Sequence, residues 1–426
     1  MLDIRLLRED AEGVKARLKT RGGDAWERVD EVLACDETRR AGETERQALQ
    51  AERNTVSKEI GVRKKAGEDT SEVEARVRGI GEQIKEISEK TEAADARQRE
   101  LLLSIPNLPH ADCPVGDDEA ANPVLREWGE KPSFGDGFEE KDHLEIGERL
   151  GLFSFDLGTK IGSSGFVCFT GQGAKLQRAL IQFLLDLHTT AHGYSEVNPS
   201  VIVNRDCMFG TGQLPKFEDD MYGLEENAFF LAPTAEVPVT NLYRETIQDA
   251  ADLPIKTTAA THCFRREAGA AGRDSRGMIR MHQFDKVELV NVVHPDESFA
   301  QLETLTAEAE AVLQKLGLHY RVIELCTGDI GFSAAKTYDI EVWAPGYGGY
   351  LEVSSCSNFV DYQARRMKLR FKDENGKNHF CHTLNGSGTA LPRLYVALLE
   401  TWQQADGTVK VPEALVPYFG AEVIGG

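Results

Sequence analysis

No proline occurs before Pro106, so nothing upstream of it forbids long uninterrupted helices. Long apolar runs are missing too: none approaches the roughly 20 residues needed to cross a bilayer. The opening MLDIRLLREDAEG is charged from its third residue, unlike the basic-then-apolar order of a signal peptide, so a cytoplasmic location without a membrane partner is expected. The eight cysteines (Cys35, Cys113, Cys168, Cys207, Cys263, Cys326, Cys356, Cys381) form no CxxC pair and no metal-like Cys/His spacing, which points to reduced, structural thiols. Basic charge is in deficit: 49 Lys and Arg against 70 Asp and Glu leave a net −21. Nonspecific nucleic-acid binding works by neutralising phosphates with cations, so any such contact here must be local. With 426 residues, 41% of them hydrophobic, the chain can bury a sizeable core and is expected to form two domains.

From about Trp26 to Leu103 the chain is rich in Glu, Arg, Lys and Ala. Val73, Val77, Ile80, Ile84 and Ile87 recur at spacings of four and three, the seam of a coiled coil, and Leu49, Val56 and Ile60 keep a similar register. Ala66–Asp69 (AGED) can reverse the chain, so the spacing predicts two antiparallel helices over about 26–103 within an arm of 1–104. Helices of about 35 residues would each extend roughly 50 Å. Near the reversal, Arg53, Lys58, Arg63, Lys64, Lys65, Arg76 and Arg78 supply a local basic stripe. Such a stripe is ordinarily a solvated face, and a coiled coil is ordinarily a spacer or oligomerisation device. Residues 105–123 carry four prolines and are expected to be a linker. The remainder, 124–426, mixes strand-like and helix-like segments in the manner of an α+β domain.

Within it, FRREAGAAGRDSRGMIRMHQF (Phe264–Phe284) sets Arg265, Arg266, Arg273, Arg276 and Arg280 in a glycine-broken loop between apparent strands. Planar bidentate donors beside flexible glycines suit phosphate. In the strand that follows, alternation puts Arg280, His282, Phe284, Lys286 and Glu288 on one face. Thr234 and Glu236 would share a side if extended, placed to receive an ammonium group. Glu352 and Ser355 are hard oxygen ligands suited to Mg2+. Strict alternation sets these two on opposite faces, so a bulge or strand end is required between them. His382–Gly407 is expected to run from a glycine-rich turn into a helix whose buried stripe is Leu391, Leu394, Tyr395, Leu398, Leu399 and Trp402, with Arg393 in its first turn.

GTGQLPKF (Gly210–Phe217), PTAEVPVTNL, FRREAG with RGMIRMHQFDKVE, EVSSCSNFVDYQARRM and HTLNGSG together resemble the bacterial-type seryl-tRNA synthetases, class II aminoacyl-tRNA synthetases, over nearly the whole chain. Pro199 looks like the motif 1 proline, Arg265 with Glu267 the motif 2 pair, and Arg393 the motif 3 arginine. The HIGH and KMSKS patterns of class I enzymes are absent.

The resemblance implies a class II catalytic domain built on an antiparallel sheet flanked by helices, using ATP and Mg2+. Arg265, Glu267 and Arg393 would be catalytic. Thr234, Ala235, Glu236, Arg265, Glu288 and Ser387 would bind L-serine. ATP would meet Arg265, Arg266, Glu267, Arg280, Phe284, Arg393 and the run Glu352, Val353, Ser354, Ser355, with Mg2+ on Glu352 and Ser355. The helical arm would reach across a homodimer to the long variable arm of serine tRNA through Arg53, Lys58, Arg63, Lys64, Lys65 and Arg76, and selenocysteine tRNA is left open as a second acceptor. Two positions depart from the family pattern: Pro392 stands where glycine is usual, and Thr389 where an aliphatic is usual. Proline is tolerated in a first helical turn, so stiffness rather than activity is expected to change.

Overall fold

A proline-free stretch rich in helix formers ought to build long helices, and it does. In the computed structural model, which describes residues 1–135, 137–267 and 277–425, α1 (Arg28–Ala66) runs for 39 residues and α2 (Ser71–Ser104) for 34. Gly67 ends α1 at φ 73°, a left-handed conformation that costs glycine nothing, and its N–H bonds the carbonyls of Arg63 and Lys64. The predicted reversal therefore falls where expected. Val56, Val73 and Ile80 are buried between the helices, with Leu49, Ile60, Val77 and Ile84 packed around them. Two short helices, Ile4–Glu9 and Ala11–Lys19, precede the hairpin and were not anticipated. Arg8 reaches Asp36 at 2.7 Å, pairing a carboxylate only 2% exposed.

Met1–Pro106 forms one unit and Asn107–Gly426 another. The proline-bearing segment expected as a linker is laid onto the second unit from its third residue. The Asn107 side-chain amide donates to the Ser333 and Phe359 carbonyls at 2.9 Å each, and His110 N–H to Ala335 at 2.7 Å.

The second unit is organised by an eight-stranded sheet of β1 (Val124–Trp128), β2 (Ser195–Glu196), β3 (Ile255–Phe264), β4 (Gln283–Val293), β5 (Tyr320–Glu324), β6 (Lys336–Ala344), β7 (Gly349–Asn358) and β8 (His382–Ala390). Their order across the sheet is β1-β5-β6-β7-β8-β4-β3-β2, with every pair antiparallel except β2–β3. The main helices are α3 (Gly171–Ala191), α4 (Glu236–Asn241), α5 (Ser298–Leu316), α6 (Tyr362–Met367) and α7 (Leu391–Thr401). Leu180 and Phe183 of α3, Leu305 and Val312 of α5, and Leu394 and Leu398 of α7 share one core with Val287, Leu289, Ile340 and Leu384 of the sheet. Alternation then sends the intervening side chains of β4 to the opposite face.

Two local expectations change. His382–Ala390 is a mostly buried strand, not a turn, and its glycines let neighbours close in: a Cβ on Gly386 would meet Cys356 Sγ at 2.8 Å. Helix α7 also buries Pro392, Val396, Ala397 and Glu400, so it is enclosed on all sides rather than along one stripe, while Trp402 caps its end.

Candidate active site

On the face of the sheet that carries Lys286 and Glu288, with the first turn of α7 in its lining, is a cavity of about 470 Å³. Its floor is Glu288, fully buried at mid-β4. Three groups converge on this carboxylate: the Thr234 hydroxyl donates to Oε2 at 2.8 Å, the Asn385 side-chain amide to Oε1 at 2.8 Å, and Lys286 Nζ stands 2.5 Å from Oε2. Thr234 does not lie in a strand. It lies two residues before the first residue of α4, and its hydroxyl accepts the backbone N–H of Glu236 at 3.3 Å, so a helix start rather than an extended run sets the two side chains together. Ala235 points elsewhere, into an apolar cluster with Val239, Ala259 and Val290.

Glu236 accepts from the Gln363 amide of α6 at 2.7 Å, and Gln363 is itself held by the Thr383 hydroxyl at 2.8 Å. Burial, and next the charge of Glu288, raise the Glu236 carboxyl to about 7 against the opposing pull of Gln363, Lys286 and Arg265.

Arg265 follows the end of β3. Its Nε donates to the Pro233 carbonyl at 3.4 Å and its guanidinium stands 5.2 Å over the Phe284 ring. Glu267 holds φ at 49°, an uncommon left-handed value for a non-glycine residue, and accepts from Arg280 Nη1 at 2.5 Å. Arg266 is not part of the lining; its backbone N–H bonds the Asp220 carbonyl. Arg273 and Arg276 lie outside the described residues. The predicted alternation holds for Phe284, Lys286 and Glu288, which all line the cavity. It fails upstream because β4 begins only at Gln283: Arg280 still reaches the cavity, whereas His282 stacks on Phe166 with centroids 5.3 Å apart.

The wall opposite is β7. Its pairing with β6 slips between Ile340/Glu341, where Ile340 faces Ser354 but Glu341 faces Glu352, leaving Val353 as the extra residue of a β-bulge. This is the irregularity that Glu352 and Ser355 required, and both line the cavity. Ser354 turns away, its hydroxyl donating to the Ser387 carbonyl at 2.6 Å. Arg393, third in α7, donates from Nη1 to the Glu352 carbonyl at 2.8 Å and from Nε to Ile279 at 3.3 Å. Pro392 occupies the first turn and joins the lining, and Ser387 lines it too. Thr389 is fully buried with no partner for its hydroxyl among the described residues.

Three participants had no assigned role in the sequence reading. Lys286 is marked by spacing only as one of the alternating face, and Asn385 and Gln363 lie inside HTLNGSG and DYQARRM with no spacing signal of their own.

Residues 1–109 match a family described as the seryl-tRNA synthetase N-terminal domain, and residues 216–402 match the tRNA synthetase class II core domain (G, H, P, S and T). The serine–tRNA ligase of Akkermansia muciniphila is 66% identical over 424 residues, covering 100% of this chain and 99% of the relative. The chain belongs to the seryl-tRNA synthetase family. Serine–tRNA ligase of Magnetococcus marinus is 50% identical, with 100% of both chains covered. The crystal structure of seryl-tRNA synthetase from Pyrococcus horikoshii complexed with ATP superimposes with a TM-score of 0.94 at 38% identity, covering 100% of this chain and 99% of that one. The activity is accordingly that of a class II ligase: ATP-dependent activation of serine and transfer of the seryl group to tRNA. No described helix is long and apolar enough to cross a membrane.

Proposed function

We infer that serine binds at the floor of the cavity and ATP along its Arg265–Phe284–Arg393 side. The observation that carries this reading is the triple hold on Glu288 by Thr234, Lys286 and Asn385 beside a raised Glu236 carboxyl. Thr234 and Glu236 take the serine ammonium, Arg265 its carboxylate, and Glu288 with Ser387 its hydroxyl. Phe284 offers a flat face to adenine, and Arg393, anchored to Glu352 and Ile279, covers the other. Arg265 and Arg280 supply phosphate contacts, with Glu267 orienting Arg280.

Hard carboxylate and hydroxyl oxygens on one face of the bulged β7 fit Mg2+, and Glu352 and Ser355 would hold it. When bound, the ion neutralises phosphate charge as a Lewis acid. In the first step a serine carboxylate oxygen attacks the α-phosphorus of ATP, the bond to the pyrophosphate oxygen breaks, and seryl-adenylate forms. A carboxylate is already a competent nucleophile, so the residues serve to position reactants and stabilise charge rather than to remove a proton. A ribose hydroxyl of the terminal adenosine of tRNA then attacks the seryl carbonyl, and AMP departs with the bonding pair.

The hairpin α1–α2 is assigned to the tRNA, reaching it across a homodimer in the cytoplasm. Arg63, Lys64 and Arg76 spend charge on Glu59, Glu74 and Glu52, whereas Arg53, Lys58 and Lys65 have no ion-pair partner among the described residues. These three are the stronger phosphate contacts of the stripe.

Pyrophosphate exchange measured with each amino acid in turn tests the substrate assignment. Serine supports exchange and alanine does not, because a site built around a hydroxyl rejects its absence by roughly 10⁴. Exchange with alanine comparable to that with serine would refute the role of Glu288.

A further inference from the structure

The bulge at Val353 sets Ser357, Ser355 and Glu352 along one face of β7. A hydrogen bond of 2.9 Å between the hydroxyls of Thr337 and Ser357 shows that Thr337 of β6 faces the same way. Counting by two along β6 brings Asp339 and Glu341 onto that face, in register opposite Ser355 and Glu352. Carboxylates set across from one another repel, so each calls for a counter-charge. Glu341 has Arg321, whose Nε is 2.5 Å away, and Glu352 has Arg393 at 3.4 Å. Asp339 has no ion-pair partner among the described residues. It is 8% exposed, it sits in register opposite Ser355, and its Oδ1 has no partner at all among the described residues. Leaving such an oxygen buried and unpaired is costly unless something arrives to bind it. Asp339 lines a second cavity of about 650 Å³, whose walls include Arg280, Glu352, Ser355 and Arg393 of the first.

We propose that Asp339 is a further oxygen ligand, from the neighbouring strand, of a divalent cation held by Glu352 and Ser355 beside the triphosphate. This rests on the reading that Glu352 and Ser355 take Mg2+. A hard cation is satisfied by carboxylate, hydroxyl, phosphate and water oxygens, and this face supplies the first two. The cation supplies the charge that Asp339 lacks, and the arginines shared by the two cavities leave room for phosphate oxygens to complete the shell.

The test is a titration of Mn2+, followed by electron paramagnetic resonance, into the full chain with a non-hydrolysable ATP analogue bound. Asp339→Asn keeps the shape and removes the charge. Mn2+ affinity is expected to fall roughly 10-fold or more, with analogue affinity in the absence of metal unchanged. Glu352→Gln is the reference. If it weakens Mn2+ while Asp339→Asn does not, the proposal is overturned and the Mg2+ reading stands. If neither variant weakens Mn2+, the Mg2+ reading fails and the proposal with it. Asp339→Ser, smaller and neutral, gives the same decision should the asparagine variant not fold: unchanged Mn2+ affinity overturns the proposal, and a comparable loss upholds it.

Discussion

Lys286 Nζ stands 2.5 Å from Glu288 Oε2, and both side chains are buried in the floor of the active-site cavity. A buried ion pair adds little stability over an apolar substitute, but removing one partner strands the other. Lys286→Met therefore costs roughly 3–5 kcal/mol, read as a lowered midpoint in urea unfolding. Changing both, Lys286→Met with Glu288→Gln, restores most of that loss without restoring pyrophosphate exchange. A double variant as unstable as the single one would show that packing, not charge, dominates here.

The raised carboxyl of Glu236 gives the site a pH dependence whose sign follows from its cause. Its folded value of about 7 lies above the ordinary 4.5, because burial and then Glu288 disfavour the carboxylate. Between those values the folded protein holds a proton that the unfolded chain has released, so the contribution of Glu236 to stability declines as pH rises from about 4.5 to about 7. If the serine ammonium pairs with Glu236 as proposed, binding favours the ionised form and reverses the cost. The KM for serine is expected to fall as pH rises through about 7, and Glu236→Gln removes that inflection. A KM profile identical in the variant would exclude Glu236 as the ammonium partner.

Arg265 keeps its guanidinium over Phe284, and among the described residues its hydrogen bond is a long one from Nε to the Pro233 carbonyl, which leaves its terminal nitrogens facing the cavity. Arg265→Lys preserves the charge and loses the planar fork. Exchange is expected to drop about 10²-fold or more while thermal unfolding stays near that of the parent. Retained exchange would move the phosphate contact to another residue.

On the hairpin, Lys58→Ala with Lys65→Ala should weaken aminoacylation and reduce the salt dependence of tRNA binding by roughly one unit of log–log slope per lysine. Pyrophosphate exchange stays intact because serine activation needs no tRNA contact. Loss of both activities together would indicate a folding defect instead.

The sequence made long-range patterns legible where one period governs them. The α1–α2 seam and the Phe284, Lys286, Glu288 face follow from spacing alone, and the conflict between Glu352 and Ser355 requires a bulge or a strand end, of which the structure has the bulge, at Val353. What stayed hidden depends on partners far apart in the chain. Asn385 reaches Glu288 across the β4–β8 pair, and Gln363 reaches Glu236 between two short helices; neither spacing marks them. HTLNGSGTA looked like a turn because glycine usually marks one. Here Gly386 and Gly388 instead clear space for Cys356 and His188 against a buried strand.

A crystal structure with a non-hydrolysable seryl-adenylate analogue tests the account most directly. The ammonium is expected between Thr234 and Glu236, the hydroxymethyl group against Glu288, and the adenine between Phe284 and Arg393. An analogue seated elsewhere, or turned so that its hydroxyl misses Glu288, would contradict the assignment of this pocket.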